Sequence, residues 1–128
     1  MELRYTEVQG IGYVEGQPST AFMREAREVN ALIEACLSNR TGSALLYASN
    51  LSPGFFDVSS REAGEVLQKL RMYRIQLAIV RERPIGESQH FGALLAAERR
   101  DGHFGLFDDR SAAEAWLCDR ERQGQAEQ

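Results

Sequence analysis

The stretch Phe55–Val80, FFDVSSREAGEVLQKLRMYRIQLAIV, decides the fold class of this chain. It predicts a helix over Ser59–Leu70, because apolar residues recur there at the spacing of one helical face. Ser59 and Glu62 have the spacing of a capping box, which marks the helix start. The run Ile75–Val80 is almost wholly apolar, which predicts a strand that is buried on both faces.

Strand and helix patterns alternate along the rest of the chain. The predicted strands are Leu3–Val8, Ile11–Val14, Ala44–Ala48, Ile75–Val80 and His103–Phe107. The predicted helices have apolar faces formed by Phe22, Ala26, Val29, Ile33, Cys36 and Leu37, by the Ser59–Leu70 segment, by Phe91, Leu94 and Leu95, and by Ala112, Ala115, Trp116 and Leu117. The order β-β-α-β-α-β-α-β-α predicts an α/β fold with a mainly parallel sheet, an N-terminal hairpin and about four helices. Ala44–Ala48 and Ile75–Val80 should be parallel neighbours in that sheet.

The C-terminal part carries a second helix-start signal. Ser111 and Glu114 again have the spacing of a capping box. From Asp119 the sequence DRERQGQAEQ is polar, which predicts a frayed tail. We therefore expect one α/β domain over residues 1–118 and a polar tail over 119–128.

Composition and charge limit the classes of function. The 128 residues carry a net charge of −4 with a pI near 5.2, which is not the basic footprint of a nucleic-acid-binding protein. No apolar run reaches the roughly 20 residues of a membrane span. The N-terminus also lacks a signal-peptide pattern, so we expect a cytoplasmic protein. Cys36 and Cys118 fall in separate helical patterns, and we expect both to be buried, reduced thiols.

Three blocks of sequence carry a family resemblance. They are Phe55–Ser60 (FFDVSS), Ala63–Lys69 (AGEVLQK) and Tyr73–Val80 (YRIQLAIV). These blocks resemble a bacterial family catalogued as domain of unknown function 4180, and the similarity extends from about Val8 to Leu117. The resemblance implies a small cytoplasmic protein. The family brings no established activity.

More distantly, the layout is similar to STAS and SpoIIAA-like domains, the anti-sigma-factor antagonists and their relatives. In those domains a phosphorylatable serine opens the helix after a core strand, in an Asp-Ser-Ser-Gly setting. Asp57–Arg61 (DVSSR) occupies that place here, with an extra residue after the aspartate and no glycine. The resemblance makes Asp57, Ser59 and Ser60 candidate phosphoacceptor or interaction residues. The alternative is that Ser59 only caps the helix.

A second set of candidates surrounds the same loop. Asn50, Asp57 and Tyr73 could line a mouth at the carboxyl ends of the strands, where open α/β sheets bind ligands. The alternative is turn hydrogen bonding by Asn50 and Asp57, with Tyr73 packed at a strand start. Phe55 and Phe56 either fill the core beneath the loop or face a partner.

The sequence does not assign catalytic residues. His90 and His103 lack the spacing of a metal pair. Ser59, His90 and Asp57 lack the glycines of a nucleophile elbow, so an acid/base or hydrolytic enzyme is only a third hypothesis, and we assign no catalytic site, metal or cofactor. The first hypothesis is a non-enzymatic, STAS-like regulatory or protein-interaction module that uses the Asn50–Arg61 surface. The alternative is a small-ligand sensor with a pocket beside that loop; a homodimer is compatible with either.

Overall fold

One five-stranded sheet organises the part of the chain that the computed structural model describes, residues 3–17, 28–51, 62–81 and 104–126. Its strands are β1 Arg4–Val8, β2 Ile11–Glu15, β3 Ser43–Tyr47, β4 Gln76–Val80 and β5 Phe104–Phe107. They lie side by side in chain order. β1 pairs with β2 antiparallel, and the other neighbouring pairs are parallel. The predicted α/β class, N-terminal hairpin and mainly parallel sheet are confirmed.

The strand pair at the centre matches its prediction most closely. β3 and β4 are parallel neighbours in continuous register, from Ser43 opposite Gln76 to Tyr47 opposite Val80. Every residue of β3 is buried, as are the last four residues of β4. An apolar run without alternation is typical of a strand that is covered on both faces, and both strands follow that rule.

The opening hairpin is closed by a tight two-residue turn. Val8 pairs with Ile11, and Gln9 and Gly10 between them have φ angles of 51° and 80°. Two consecutive positive φ angles are the geometry of a type I′ turn, whose twist matches that of the flanking strands. The turn predicted from Gln9-Gly10 is therefore present.

Three α-helices cover the two faces of the sheet within the described ranges. They are α1 Val29–Ser38, α2 Glu62–Met72 and α3 Arg110–Ala126. α1 and α2 pack on one face, in a core that includes Leu32, Cys36, Leu46, Leu70 and Ile79. α3 packs on the other face, in a core that includes Tyr13, Leu45, Ala78, Ala113 and Leu117. About four helices were predicted; the one expected around Phe91, Leu94 and Leu95 lies outside the described residues.

The buried face of α1 differs from the predicted face at two positions. Leu32 is fully buried, whereas Leu37 is 58% exposed. The buried residues Val29, Leu32, Ile33 and Cys36 are centred close to Cys36, and Leu37 lies about a quarter-turn from that centre. Because apolar spacing alone cannot fix the centre of a stripe, the sequence assigned Leu37 to the core incorrectly.

The face of α3 also differs from its prediction. Ala113, Leu117 and Cys118 are buried, whereas Ala112 and Ala115 are exposed and Trp116 is half-buried against the ring of Phe107 at 5.6 Å. The predicted stripe of Ala112, Ala115 and Trp116 is therefore rotated away from the real one. Alanine is too small to reveal a helical face, and the large Trp116 can lie at the rim.

The start and end of α3 also depart from the prediction. The capping side chain is Asp109, whose Oδ1 accepts the Ala112 backbone N–H at 2.8 Å, rather than Ser111. Residues 119–126, predicted as a frayed tail, continue the helix to Ala126. Cys36 and Cys118 are buried as thiols, as expected. No helix in the described ranges is long and apolar enough to cross a bilayer.

Candidate functional site

Asn50 lies at the carboxyl end of β3, in a 3-10 turn over Ala48–Asn50. Its side-chain Oδ1 accepts the Tyr47 backbone N–H at 2.8 Å, and its Nδ2 donates to the Gln17 carbonyl at 2.6 Å. Only 1% of Asn50 is exposed. Asn50 therefore connects the residues that follow β2 to the residues that follow β3. These contacts agree with the alternative in which Asn50 makes hydrogen bonds within a turn.

Gly16 makes this arrangement possible. Its N–H donates to the Leu45 carbonyl at 3.0 Å, which extends the pairing of β2 and β3. A Cβ at Gly16 would overlap the side-chain oxygen of Asn50 and lie 3.0 Å from Leu46 Cδ2. The glycine is therefore required by close approach of the Asn50 amide.

Tyr73 does not lie near Asn50. It precedes β4 and is 51% exposed, whereas Asn50 follows β3. Because β3 and β4 are parallel, a residue before one strand and a residue after the other lie at opposite edges of the sheet. The structure therefore does not bring Asn50 and Tyr73 together in one mouth, and this part of the sequence prediction was wrong.

The other predicted site residues lie outside the described residues. They are Phe55, Phe56, Asp57, Ser59 and Ser60, together with His90 and His103. The phosphoacceptor and partner-surface hypotheses that depend on them stay predictions. Among the residues that the structure describes, no three His, Cys, Asp or Glu side chains lie together in a way that could hold a metal ion.

Sequence reasoning missed a polar centre on the α3 face of the sheet, formed by Tyr13, Glu15, Tyr47, Arg110 and Glu114. Glu15 accepts hydrogen bonds from the Tyr47 hydroxyl at 2.7 Å and from Arg110 Nη2 at 3.0 Å. Tyr13 donates to Glu114 Oε2 at 2.6 Å and accepts from Arg110 Nη2 at 3.1 Å. Two strands and the start of α3 are thus tied together by matched polar groups.

The surroundings of Tyr13 and Arg110 determine the protonation states of both groups. Burial raises the pKa of the Tyr13 hydroxyl, and its hydrogen bond to Glu114 raises it further. The hydrogen bond to Tyr13 is the main cause that raises the pKa of Arg110, and Glu15 adds to it. Tyr13 therefore stays protonated and Arg110 stays charged throughout the physiological range. The arrangement fixes α3 on the sheet.

A signal for the polar centre was present in the sequence. Tyr13 and Glu15 alternate with Val14, and Arg110 and Glu114 have the spacing of neighbours on one helix face. The predicted strand ended at Val14, which left Glu15 outside the sheet. Only the packing of α3 on this face of the sheet brings the two pairs together.

A groove runs between the hairpin and α3. Its volume is about 320 Å³, and its lining includes Val8, Gln9, Glu114, Cys118 and Asp119. The apolar wall comes from Val8 and Cys118, while Glu114 connects it to the polar centre. This groove is not beside Asn50, where the sequence predicted a ligand pocket.

α1 ends in a turn with an unusual residue. Arg40 has a φ of 55° and donates its N–H to the Leu37 carbonyl at 3.2 Å. The Thr41 N–H donates to the Cys36 carbonyl at 3.0 Å, which completes the pattern of a Schellman motif. Glycine usually fills the left-handed position because it has no Cβ. An exposed arginine fills it here.

α2 ends in the same way. Arg74 has a φ of 57° and donates its N–H to the Arg71 carbonyl at 3.0 Å. The Ile75 N–H donates to the Leu70 carbonyl at 2.8 Å. The second helix end is therefore another Schellman motif, again with an exposed arginine where glycine is usual.

The two helix ends are neighbours in space. The Gln76 N–H donates to the Gly42 carbonyl at 2.8 Å. A Cβ at Gly42 would lie 3.1 Å from the Arg74 carbonyl oxygen, so the turns that precede β3 and β4 pack closely. Both turns therefore lie at one place, the edge of the sheet where β3 and β4 begin.

Large apolar side chains are exposed at this edge. Leu37 is 58% exposed, Met72 71% and Tyr73 51%. We use the term amino-edge patch for the set Leu37, Arg40, Arg71, Met72, Tyr73 and Arg74. Segments 37–42 and 69–74 contain four basic residues and no acidic residue, although the whole chain has a net charge of −4. The patch is both apolar and locally positive.

A family model matches most of the chain. The family model described as Domain of unknown function (DUF4180) matches residues 8–117, from the hairpin to the buried part of α3. The first resemblance drawn from the sequence is thus confirmed. No curated protein and no solved structure matches the chain.

Proposed function

The chain belongs to the DUF4180 family, and we propose that it is a non-enzymatic protein-interaction module that binds a partner through the amino-edge patch. One observation carries the proposal. Three large apolar side chains, Leu37, Met72 and Tyr73, are exposed beside arginines on two turns that contact each other. Clustered exposed apolar residues with a polar border are typical of interaction sites.

The residue types in the patch support the same function. Aromatic residues, methionine and arginine are enriched at protein interfaces, whereas lysine and glutamate are depleted. Met72, Tyr73 and three arginines form most of the patch, and they lie on the ends of packed helices. A rigid base lowers the conformational entropy that a binding surface loses when a partner docks.

The regulatory, STAS-like part of the hypothesis is a finer proposal. The alternation of helices with parallel strands supports it, as does the position of the DVSSR segment before α2. α2 begins at Glu62, directly after the DVSSR segment in the sequence, and its other end, Met72, belongs to the patch. We propose that any regulation through Ser59 or Ser60 acts at a separate surface from partner binding.

A capture experiment tests the proposal. The native protein, the variant Met72→Ser/Tyr73→Ser and the control Ala112→Ser/Ala115→Ser are each used to capture proteins from their source cells. The control residues are exposed on α3, on the opposite face of the sheet. A partner should be retained by the native protein and the control and lost by the patch variant. Calorimetry with the two purified proteins should then reproduce the difference.

The proposal fails if the three proteins capture identical sets. It also fails if the partner binds the patch variant with unchanged affinity in calorimetry. Circular dichroism and thermal unfolding establish that the variants are folded. Because the substituted side chains are mostly exposed, we expect their stabilities to differ by less than about 1 kcal/mol.

The groove beside α3 favours a second proposal, small-ligand binding. Its volume of about 320 Å³ is that of a small metabolite site. Val8 and Cys118 offer apolar contact, and Glu114 and Asp119 offer carboxylates. Native mass spectrometry of the purified protein would show a retained molecule. Retention that is unchanged when Ala115→Trp fills the groove would contradict this proposal.

A further inference from the structure

We infer that the partner segment bound at the amino-edge patch is acidic and apolar, and that Arg40 and Arg74 recognise its carboxylates. This inference rests on the proposed function and names the chemistry of the partner. The proposed function needs only exposed apolar contact. The inference adds a charge requirement and identifies the two residues that meet it.

The first argument is the backbone at the two arginines. Arg40 and Arg74 have φ angles of 55° and 57°, where a Cβ is sterically unfavourable. Glycine would relieve that cost at either helix end. An arginine therefore occupies the unfavourable left-handed position in both turns, and the two turns are in contact. A surface role for the guanidinium groups explains why arginine stands at both.

Complementing the helix dipole does not require the position of Arg74. A cation stabilises a helix C-terminus from within the last turn, where Lys69 and Arg71 already stand in α2. Arg74 adds a further cation at the left-handed position beyond the helix. In α1 the last turn holds no basic residue, so Arg40, just beyond it, also complements the dipole of that helix. The left-handed arginines therefore present charge at the end of each helix, next to Leu37, Met72 and Tyr73.

The charge of the patch indicates an acidic partner. The patch holds three arginines, and segments 37–42 and 69–74, which add Lys69, contain no acidic residue in a chain of net charge −4. Arginine forms bidentate hydrogen bonds with carboxylates, which lysine does not. Such bonds are stronger where water is excluded from them. Leu37, Met72 and Tyr73 supply apolar contacts that would exclude water when a partner binds.

A protein segment fits this surface better than a membrane or a nucleic acid. An extended anionic surface would meet the rest of the acidic chain and be repelled by it. A short peptide segment touches only the patch and avoids that repulsion. The partner is therefore a segment in which aspartate or glutamate flanks leucine, phenylalanine or a similar residue.

Peptide selection tests the inference without a known partner. Random displayed peptides are selected on the full-length protein, and their binding is measured by fluorescence titration. Arg40→Gly/Arg74→Gly should unfold a few degrees higher, because glycine relieves both left-handed positions. It should bind the selected acidic, apolar peptides about tenfold or more weakly. The control Arg4→Gln, which removes an exposed arginine from β1, should bind them normally.

Each outcome separates the two proposals. If binding falls with Met72→Ser/Tyr73→Ser but not with Arg40→Gly/Arg74→Gly, the proposed function stands and the acidic-partner inference is overturned. The inference also fails if replacing the peptide carboxylates with amides leaves affinity unchanged. If no selected peptide is sensitive to either variant, both proposals fail. Arginine-dependent binding only to vesicles of phosphatidylcholine and phosphatidylserine would replace the peptide partner with a membrane.

Discussion

At the scale of single residues, the contact of Gly16 with Asn50 gives a quantitative prediction. Asn50→Ala removes bonds to the Tyr47 N–H and the Gln17 carbonyl, and should cost about 1–3 kcal/mol of unfolding free energy. Gly16→Ala should cost about 2 kcal/mol, because its Cβ would overlap the Asn50 side chain. Urea denaturation of both variants measures these values.

A double-mutant cycle gives the sharper test of this contact. In the Asn50→Ala background the overlapping oxygen is absent, so Gly16→Ala should cost at least about 0.5 kcal/mol less than in the native background. If the losses of unfolding free energy are strictly additive, the backbone around Gly16 accommodates the new Cβ without involving Asn50. The control Gly64→Ala, at an exposed helical position with open space around it, should stabilise the protein.

Cys36 gives a prediction about pH. An unfolded thiol titrates near pH 9, and burial raises the pKa of the Cys36 thiol to about 12. Between these values the native state holds a proton that the unfolded state has lost, so stability must fall as pH rises above about 9. At about pH 10 the loss from this thiol should be about 1 kcal/mol.

Urea denaturation at about pH 8 and pH 10 measures this loss. Cys36→Ala should remove that part of the decrease, whatever its effect at neutral pH. Tyr13 should contribute a smaller decrease of the same sign, because its pKa is also raised above the ordinary value of 10. An identical pH dependence for native protein and Cys36→Ala would contradict the burial argument.

At the scale of elements, the start of α3 distinguishes two capping residues. Asp109 accepts the Ala112 N–H, so Asp109→Ala should cost about 1 kcal/mol, and Asp109→Asn should retain most of that stability. Ser111→Ala should change stability by less than about 0.5 kcal/mol, because Ser111 lies inside the helix with an exposed side chain. Thermal unfolding of the three variants makes the comparison. A larger loss for Ser111→Ala than for Asp109→Ala would restore the capping box expected from the sequence.

At the scale of the whole molecule, Glu15 connects three elements. It accepts hydrogen bonds from Thr6 on β1, Tyr47 on β3 and Arg110 on α3. Glu15→Ala removes the acceptor of all three bonds and should cost about 3 kcal/mol of unfolding free energy. The matched control is Asp108→Ala, which breaks the exposed ion pair with Arg81 and should cost less than about 1 kcal/mol. Equal losses in urea denaturation would show that the polar centre contributes no more than a surface pair.

The layout of the whole molecule separates its surfaces. α3 and the polar centre occupy one face of the sheet, and the ends of α1 and α2 meet at the amino edge. Leu51, the last described residue after β3, lies at the carboxyl edge of the sheet. Substitutions in the amino-edge patch should therefore leave the polar centre unchanged, because sites that share no contacts act independently.

The sequence by itself determined the α/β class, the parallel pairing of β3 with β4, the Gln9-Gly10 turn and the family. These follow from local signals, since periodicity, turn residues and unbroken apolar runs express backbone and burial preferences within a few residues. Each signal was strong where a whole element is apolar on both faces, as in β3 and β4. It was weak where small residues define the face, as in α3.

Only the tertiary structure decided which distant residues meet. Tyr13 and Glu114 are far apart in the chain, yet they share a hydrogen bond because α3 packs on the face of the sheet that carries Tyr13. Leu37 and Tyr73 lie at one edge because two helices end side by side, and Asn50 and Tyr73 are separated because their strands are parallel. Periodicity describes one element at a time. The site depends on the packing of several elements, which no local pattern records.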